Sequence, residues 1–115
     1  MNKERKKMTY MESINNLMDG IKDDYSKWMT NHDMVERFNN ELKLVTKGRK
    51  YDKIVSGSSV WGFIAKTDGI LKGIPYKQGD VFKPAGWRGP AKYQRGNIFN
   101  GNHGYYRWTG PNYLV

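Results

Sequence analysis

Residues 50–66, KYDKIVSGSSVWGFIAK, contain the clearest strand signal of this chain. The two halves of this stretch are short runs rich in β-branched and aromatic residues, and the small residues SGSS join them. Two such runs around a glycine-containing turn are typical of an antiparallel β-hairpin. The sequence therefore predicts β-structure from about residue 50 onward.

Before this stretch, apolar residues recur every three or four positions from Tyr10 to Met29, which predicts an amphipathic helix. Thr9 followed by Glu12 fits a capping box and predicts that the helix begins there. Gly20 lies inside the pattern and weakens such a helix by roughly 1 kcal/mol relative to Ala. The side chains that we expect to be largely buried are Ile14, Leu17, Ile21, Trp28 and Phe38.

A second, shorter apolar pattern follows the letters TNHD and predicts another helix. Asp33 is its candidate N-cap. The pattern continues through Leu42 to Val45, and Gly48 is the expected terminator. The helical part is therefore expected to cover residues 8–47.

After the hairpin, the sequence predicts short strands separated by loops. Residues 67–80 contain three glycines and a proline and are expected to form a loop. Strands are expected at Val81–Lys83, at Asn97–Phe99 and at Tyr105–Trp108. Helices followed by strands predict an α+β fold, with two N-terminal helices packed on a small, mainly antiparallel sheet with long ordered loops. A chain of 115 residues is expected to form a single domain, with 48–115 as its strand and loop part.

The composition points to an acidic partner. The net charge is +9, and residues 51–115 carry 9 Lys and Arg against 3 Asp. The absence of cysteine excludes disulfides, zinc–thiolate sites and cysteine nucleophiles. No segment approaches the roughly 18 consecutive apolar residues of a spanning helix, and the N-terminus lacks the apolar stretch of a secretory signal. We expect a soluble intracellular protein that does not act at a membrane.

The sequence offers no pattern typical of catalysis or metal binding. Its two histidines, His32 and His103, have no second ligand at metal spacing and are expected in surface loops. Asp68 and Asp80 adjoin glycines, which is typical of turns. Phosphate-loop spacing and a Ser–His–Asp arrangement are both missing from the sequence. We therefore expect a non-enzymatic protein without catalytic residues, metal or cofactor.

The strongest functional signal is GDVFKPAGWRGPAKYQRGNIF, residues 79–99, because it is basic and aromatic, and no acid follows Asp80. Its prolines and glycines predict an ordered loop. In one interpretation, Phe82 and Trp87 pack on the sheet as core, and the cations form a solvated rim. In the other, aromatic rings stack on bases while Lys and Arg contact phosphates, as in non-specific single-strand binders. The candidate nucleic-acid-binding residues are Lys83, Trp87, Arg88, Lys92, Tyr93, Arg95 and Arg107.

The segment from residue 50 to the end also resembles a family of small proteins encoded by tailed bacteriophages. In that family, a GD-hydrophobic-K-P/A-A-x-W-x-x-P-A motif precedes a basic R-G-N-I/L-F element and an aromatic tail. The resemblance implies a viral source and the cytoplasm of the bacterial host, and it implies no mechanism. The matching positions are Gly79, Asp80, Lys83, Ala85, Trp87, Pro90, Ala91, Arg95, Gly96, Asn97 and Phe99.

Three functions are compatible with the sequence. The leading hypothesis is a non-enzymatic phage protein that binds DNA or RNA through a basic, aromatic surface. The first alternative is a small phage protein that docks the same surface on an acidic host protein, such as a defence or transcription factor, and inhibits it. The second is a minor virion component, with the Tyr/Trp-rich tail as a packing edge.

Overall fold

The computed structural model describes residues 9–99, the backbone of 106–107, and residues 109–111. Helix α1 spans Tyr10–Trp28, helix α2 spans His32–Glu41, and a mainly antiparallel sheet follows them, so the predicted α+β class is confirmed. The strands are β1 Leu42–Val45, β2 Tyr51–Ser56, β3 Ser59–Ala65, β4 Gly69–Leu71, β5 Ile74–Tyr76, β6 Asp80–Pro84, β7 Pro90–Asn97, β8 Tyr106–Arg107 and β9 Gly110–Pro111.

A reciprocal capping box fixes the start of α1. The backbone N–H of Glu12 donates to Oγ1 of Thr9 at 3.1 Å, and the N–H of Thr9 donates to Oε1 of Glu12 at 2.9 Å. Both donors would otherwise have no partner within the helix. The predicted start at Thr9 is confirmed, and the helix continues through Gly20 without a break.

The start of α2 differs from the prediction. Asn31, not Asp33, is the N-cap, because its Oδ1 accepts a hydrogen bond from the backbone N–H of Met34 at 3.1 Å. Asp33 instead lies in the first turn, where a negative charge is favourable beside the helix dipole.

The end of α2 also differs from the prediction. The helix ends at Glu41, and the chain passes directly into β1, so the predicted helical part over 8–47 is wrong in its last six residues. The physical reason is antiparallel pairing with β2, in which Leu42 lies opposite Ser56. Leu42 is buried and Lys43 is exposed, which is the alternation of a strand.

The main sheet of the described residues has five strands in the order β1-β2-β3-β6-β7, and every neighbouring pair is antiparallel. The predicted hairpin is its β2–β3 pair, which turns at Gly57 with φ +60°. The predicted strand at Val81–Lys83 is confirmed and extends one residue further at each end as β6.

Strands β8 and β9 form a separate small pair. The predicted strand at Tyr105–Trp108 is described only over 106–107, and its two end residues lie outside the described part.

Two segments predicted as loops contain strands. Residues 67–80 include the β4–β5 hairpin, whose turn places Gly73 at φ +83°. In the tract at 79–99, residues 80–84 and 90–97 form β6 and β7, which pair at the edge of the sheet, so the loop between them covers only 85–89. Of the strand predicted at Asn97–Phe99, only Asn97 belongs to β7, and the two residues after it form a turn, so that prediction is wrong for them. Pro90 is the first residue of β7, a position where a strand tolerates proline.

The helices pack on one face of the sheet and form the main core. Phe38 is buried as predicted and stacks on Tyr25 with ring centroids 4.2 Å apart. Trp28 is not buried as predicted: it is 63 % exposed, because Tyr25 takes the core position one turn earlier in α1. The fully or nearly fully buried aliphatic side chains of this core are Ile14, Leu17, Ile21, Ile54, Ile64 and Val81.

A smaller aromatic cluster lies on the opposite face of the sheet. Phe63 and Phe82 belong to it and alternate along their strands with Ile64 and Val81 of the main core. Tyr51 packs against this cluster and stays half-buried. The interpretation of Phe82 as core is therefore confirmed, since only 1 % of it is exposed.

No helix of the described chain is both long and apolar enough to cross a bilayer.

Candidate functional site

A groove of about 460 Å³ opens on the sheet face that carries the aromatic cluster. Val45, Tyr51 and Phe63 contribute apolar surface to it. The β1–β2 loop, residues 46–50, forms one wall, and the β6–β7 loop, residues 85–89, reaches the groove from the other side through Arg88. The groove therefore combines an aromatic floor with two loops that are far apart in sequence.

The groove is strongly positive. Among the described residues that line it, none is acidic and five are cationic: Lys47, Arg49, Lys50, Lys53 and Arg88. All of these except the half-buried Lys53 are exposed. A recess with charges of one sign concentrates the electrostatic field and attracts ligands of the opposite sign. The groove is therefore suited to bind an anionic ligand. If that ligand also has an apolar group, the group would contact the aromatic floor of the groove.

Lys66 holds the β1–β2 loop in place. Its Nζ donates to the backbone carbonyl oxygens of Thr46, at 2.8 Å, and of Gly48. Its backbone N–H donates to the carbonyl oxygen of Lys50 at 2.9 Å. A Cβ at Gly48 would lie 2.5 Å from the carbonyl oxygen of Tyr51, so only glycine fits this close approach. The loop with three groove cations is thus fixed by backbone contacts.

The same lysine approaches a buried carboxylate. Asp52 is 2 % exposed, and its Oδ1 lies 3.5 Å from Nζ of Lys66. Its Oδ2 accepts a hydrogen bond from the phenol of Tyr10 at 2.7 Å. Burial, followed by this hydrogen bond and the negative charge of Asp52, raises the pKa of Tyr10, so the phenol stays protonated and continues to donate. These contacts link the start of α1 to the basic loop.

We predict that Lys66→Met lowers the free energy of unfolding by about 1–3 kcal/mol, because it leaves the Asp52 carboxylate buried beside an apolar side chain. Chemical denaturation measures this loss, and Lys43→Met, at an exposed position, is the matched control with little expected change. In a double-mutant cycle, Asp52→Asn should remove part of the penalty. Additive losses in that cycle would contradict the coupling.

The β6–β7 loop is anchored to the floor by Lys53. Its Nζ donates to the carbonyl oxygen of Trp87 at 3.0 Å and lies 4.5 Å from the centre of the indole ring. The loop is closed by a hydrogen bond from the N–H of Ala85 to the carbonyl oxygen of Gly89 at 3.0 Å. Trp87 is 53 % exposed, so its interpretation as core is wrong.

Two of the predicted nucleic-acid-binding residues, Trp87 and Arg88, lie at the groove. The side chain of Arg88 lines it, and Trp87 is held beside it by the hydrogen bond from Lys53. Lys83 is exposed on β6 and does not line the groove. The side chain of Arg107 lies outside the described part of the chain.

The other three predicted residues belong to β7 rather than to a loop, which corrects the prediction that one ordered loop displays them all. Lys92 and Tyr93 are exposed, and Nζ of Lys92 lies 5.4 Å from the centre of the Tyr93 ring. Arg95 is half-buried, with its Nε and Nη1 atoms closed off from solvent. None of the three lines the groove.

Sequence reasoning missed the cations of the β1–β2 region: Lys47, Arg49, Lys50 and Lys53. The signal that could have found them is the dense run KGRKYDK at residues 47–53, with four cations around a glycine. The sequence pattern divides this run between the expected end of a helix and the start of a strand, so it does not indicate that the four cations belong to one site.

The described residues contain no group of three His, Cys, Asp or Glu side chains that could hold a metal ion. His32 is the first residue of α2 and is exposed, which corrects its expected place in a loop. His103 lies outside the described residues.

The model of a family of unknown function, DUF7717, matches residues 1–113, which include both helices and the sheet. Comparisons with curated proteins and with solved structures found no match.

Proposed function

The chain belongs to the family of unknown function DUF7717, and we propose from its groove that it is a non-enzymatic, phage-encoded protein that binds nucleic acid. The observation that carries this proposal is the convergence of five cations on one recess with an aromatic floor. Phosphate groups are the anions that a nucleic acid offers to Lys and Arg, and bases offer flat faces to aromatic rings.

Two loops supply exposed cations that would contact the phosphates of a nucleic acid. Residues 46–50 supply three exposed cations, and Arg88 supplies one from the opposite side. Arg can contact a phosphate through two parallel hydrogen bonds, whereas Lys acts as a point charge. Because Lys66 fixes the first loop and Lys53 the second, both walls are held in position before a ligand binds.

The aromatic part of the proposal favours single strands over duplexes. Trp87 exposes just over half of its surface beside the groove, and Tyr51 is half-buried in the floor. Stacking on an exposed ring requires an unpaired base and contributes about 1–3 kcal/mol per base. A duplex keeps its bases stacked on one another and offers only its phosphates to this surface.

We predict that single-stranded oligonucleotides bind with an affinity that falls steeply as salt rises, since released counterions drive such binding. Three phosphate contacts would give a slope of about −2 in a plot of log K against log salt concentration. Fluorescence anisotropy of a labelled oligonucleotide between about 50 and 200 mM salt measures it, with the duplex of the same sequence as the control. An affinity that does not change with salt concentration, or no binding at the lowest salt concentration, would exclude nucleic acid as the ligand.

The host-protein alternative is supported by a different part of the surface. Lys92 and Tyr93 are exposed on β7, which ends the described sheet as an edge strand away from the groove. An edge strand offers unpaired backbone groups to another chain. A protein that is free of nucleic acid after purification and captures one host polypeptide would favour inhibition of that polypeptide in the host cytoplasm. The virion alternative rests on the aromatic tail, most of which lies outside the described residues.

A further inference from the structure

We infer that the groove accepts the polyphosphate group of a nucleotide, either at the 5′ end of an RNA strand or in a free nucleoside triphosphate. This inference rests on the proposed nucleic-acid binding and names the part of the ligand that the groove would hold.

The size of the groove limits what it can take. Its volume of about 460 Å³ lies near the lower end of the range of roughly 300–1,000 Å³ that is typical of small-molecule sites. Such a space accommodates a group of nucleotide size and cannot enclose a length of strand. A long strand would have to lie across the open side of the groove, where neighbouring phosphates can contact its exposed cations, and only an end of the strand could enter it.

The charge of the groove exceeds what one internal nucleotide needs. Inside a strand, each nucleotide carries a single negative charge, and a sugar separates each phosphate from the next. Five cations line this recess of nucleotide size, and four of them are exposed. A strand that lies across the groove presents only one charge per nucleotide, whereas a triphosphate places all of its charged groups on one short chain. The density of cations therefore fits a polyphosphate better than an internal phosphate.

The placement of the cations supports the same ligand. Lys47, Arg49 and Lys50 come from the β1–β2 loop and Arg88 comes from the β6–β7 loop, which lie at opposite ends of the strands, so a short polyanion in the groove can contact cations of both loops. Trp87 is held beside the groove by Lys53 and is available to a base attached to that polyanion. A site for inorganic anions alone would gain nothing from this exposed ring.

The test compares two RNA oligonucleotides of one sequence, one with a 5′-triphosphate and one with a 5′-hydroxyl, by fluorescence anisotropy. We expect the triphosphate end to increase affinity at least about tenfold, and Arg49→Gln/Lys50→Gln to remove the difference. Lys92→Gln is the matched control, because this exposed lysine lies outside the groove, and it should retain the preference. Equal, salt-dependent affinity for both ends would overturn this inference and leave the proposed function standing. No binding of either RNA or of free nucleoside triphosphate would overturn both.

Competition distinguishes the two sources of the polyphosphate. Displacement of the 5′-triphosphate RNA by GTP or ATP at similar affinity would assign the groove to free nucleotides, and displacement only by the triphosphate strand would assign it to strand ends. Inorganic tripolyphosphate should compete at least about tenfold more weakly than GTP, and Trp87→Ala should reduce this difference. Equal competition by tripolyphosphate and GTP with the natural protein would overturn recognition of a nucleotide.

Discussion

Replacing Ile21 by Asp is expected to prevent folding. Ile21 is 0 % exposed in the centre of the helix face of α1, among aliphatic side chains of the main core. A carboxylate at this position would be enclosed by the apolar side chains of the core, and burying an unpaired charge costs several kcal/mol. Since the whole free energy of unfolding of such a domain is about 5–15 kcal/mol, this change removes a large part of it.

Circular dichroism and thermal melting of Ile21→Asp would show the loss. Asn15→Asp introduces the same side chain on the exposed side of the same helix and should melt like the natural protein. A soluble Ile21→Asp variant with an unchanged cooperative melting transition would contradict the packing of α1 on the sheet.

The second large effect is expected from Arg49→Gln/Lys50→Gln/Arg88→Gln, which removes three groove cations and leaves no buried group without a partner. At about 1 kcal/mol or more for each lost charge-assisted contact, the affinity for single-stranded nucleic acid should fall by about a hundredfold or more. The salt slope should become shallower by about two units, since each phosphate contact contributes about 0.7. Thermal stability should stay nearly unchanged, because all three side chains are exposed.

A control of equal charge separates the groove from the overall charge of the protein. Arg37→Gln/Lys43→Gln/Lys72→Gln removes three exposed cations that do not line the groove. This variant should bind with much smaller losses than the groove variant. Equal losses in the two triple variants would show that net charge, and not the groove, determines the affinity.

The parts of the fold that could be predicted are those fixed by neighbouring residues. The capping box at Thr9 and Glu12 and the turn at Gly57 depend on contacts within a few positions, and both were found from spacing alone. Strand β1 was missed because its apolar residues continue the helical spacing of α2, and only pairing with β2 makes them a strand. Trp28 was misplaced because the apolar pattern of α1 covers more of the helix than the sheet buries.

The candidate site could be predicted only in part, for a related reason. Trp87 and Arg88 were found because their tract is locally basic and aromatic. Their partners on the β1–β2 loop were not, since the contact from Lys53 to Trp87 spans 34 positions in the chain. Rules based on residue spacing do not predict contacts across so many positions. The groove forms only when the chain has folded and β2, β3 and β6 lie side by side. Lys92 and Tyr93 are close to Arg88 in sequence, but they belong to β7 and do not line the groove.

Amide chemical-shift mapping would show whether nucleic acid binds in the groove. A single-stranded oligonucleotide is titrated into the isotope-labelled protein at low salt, and the shifts of backbone amides are followed. We predict that the largest changes occur over residues 46–53 and at Trp87 and Arg88. Changes confined to the helices or to residues 92–95, or none at all, would contradict binding in the groove.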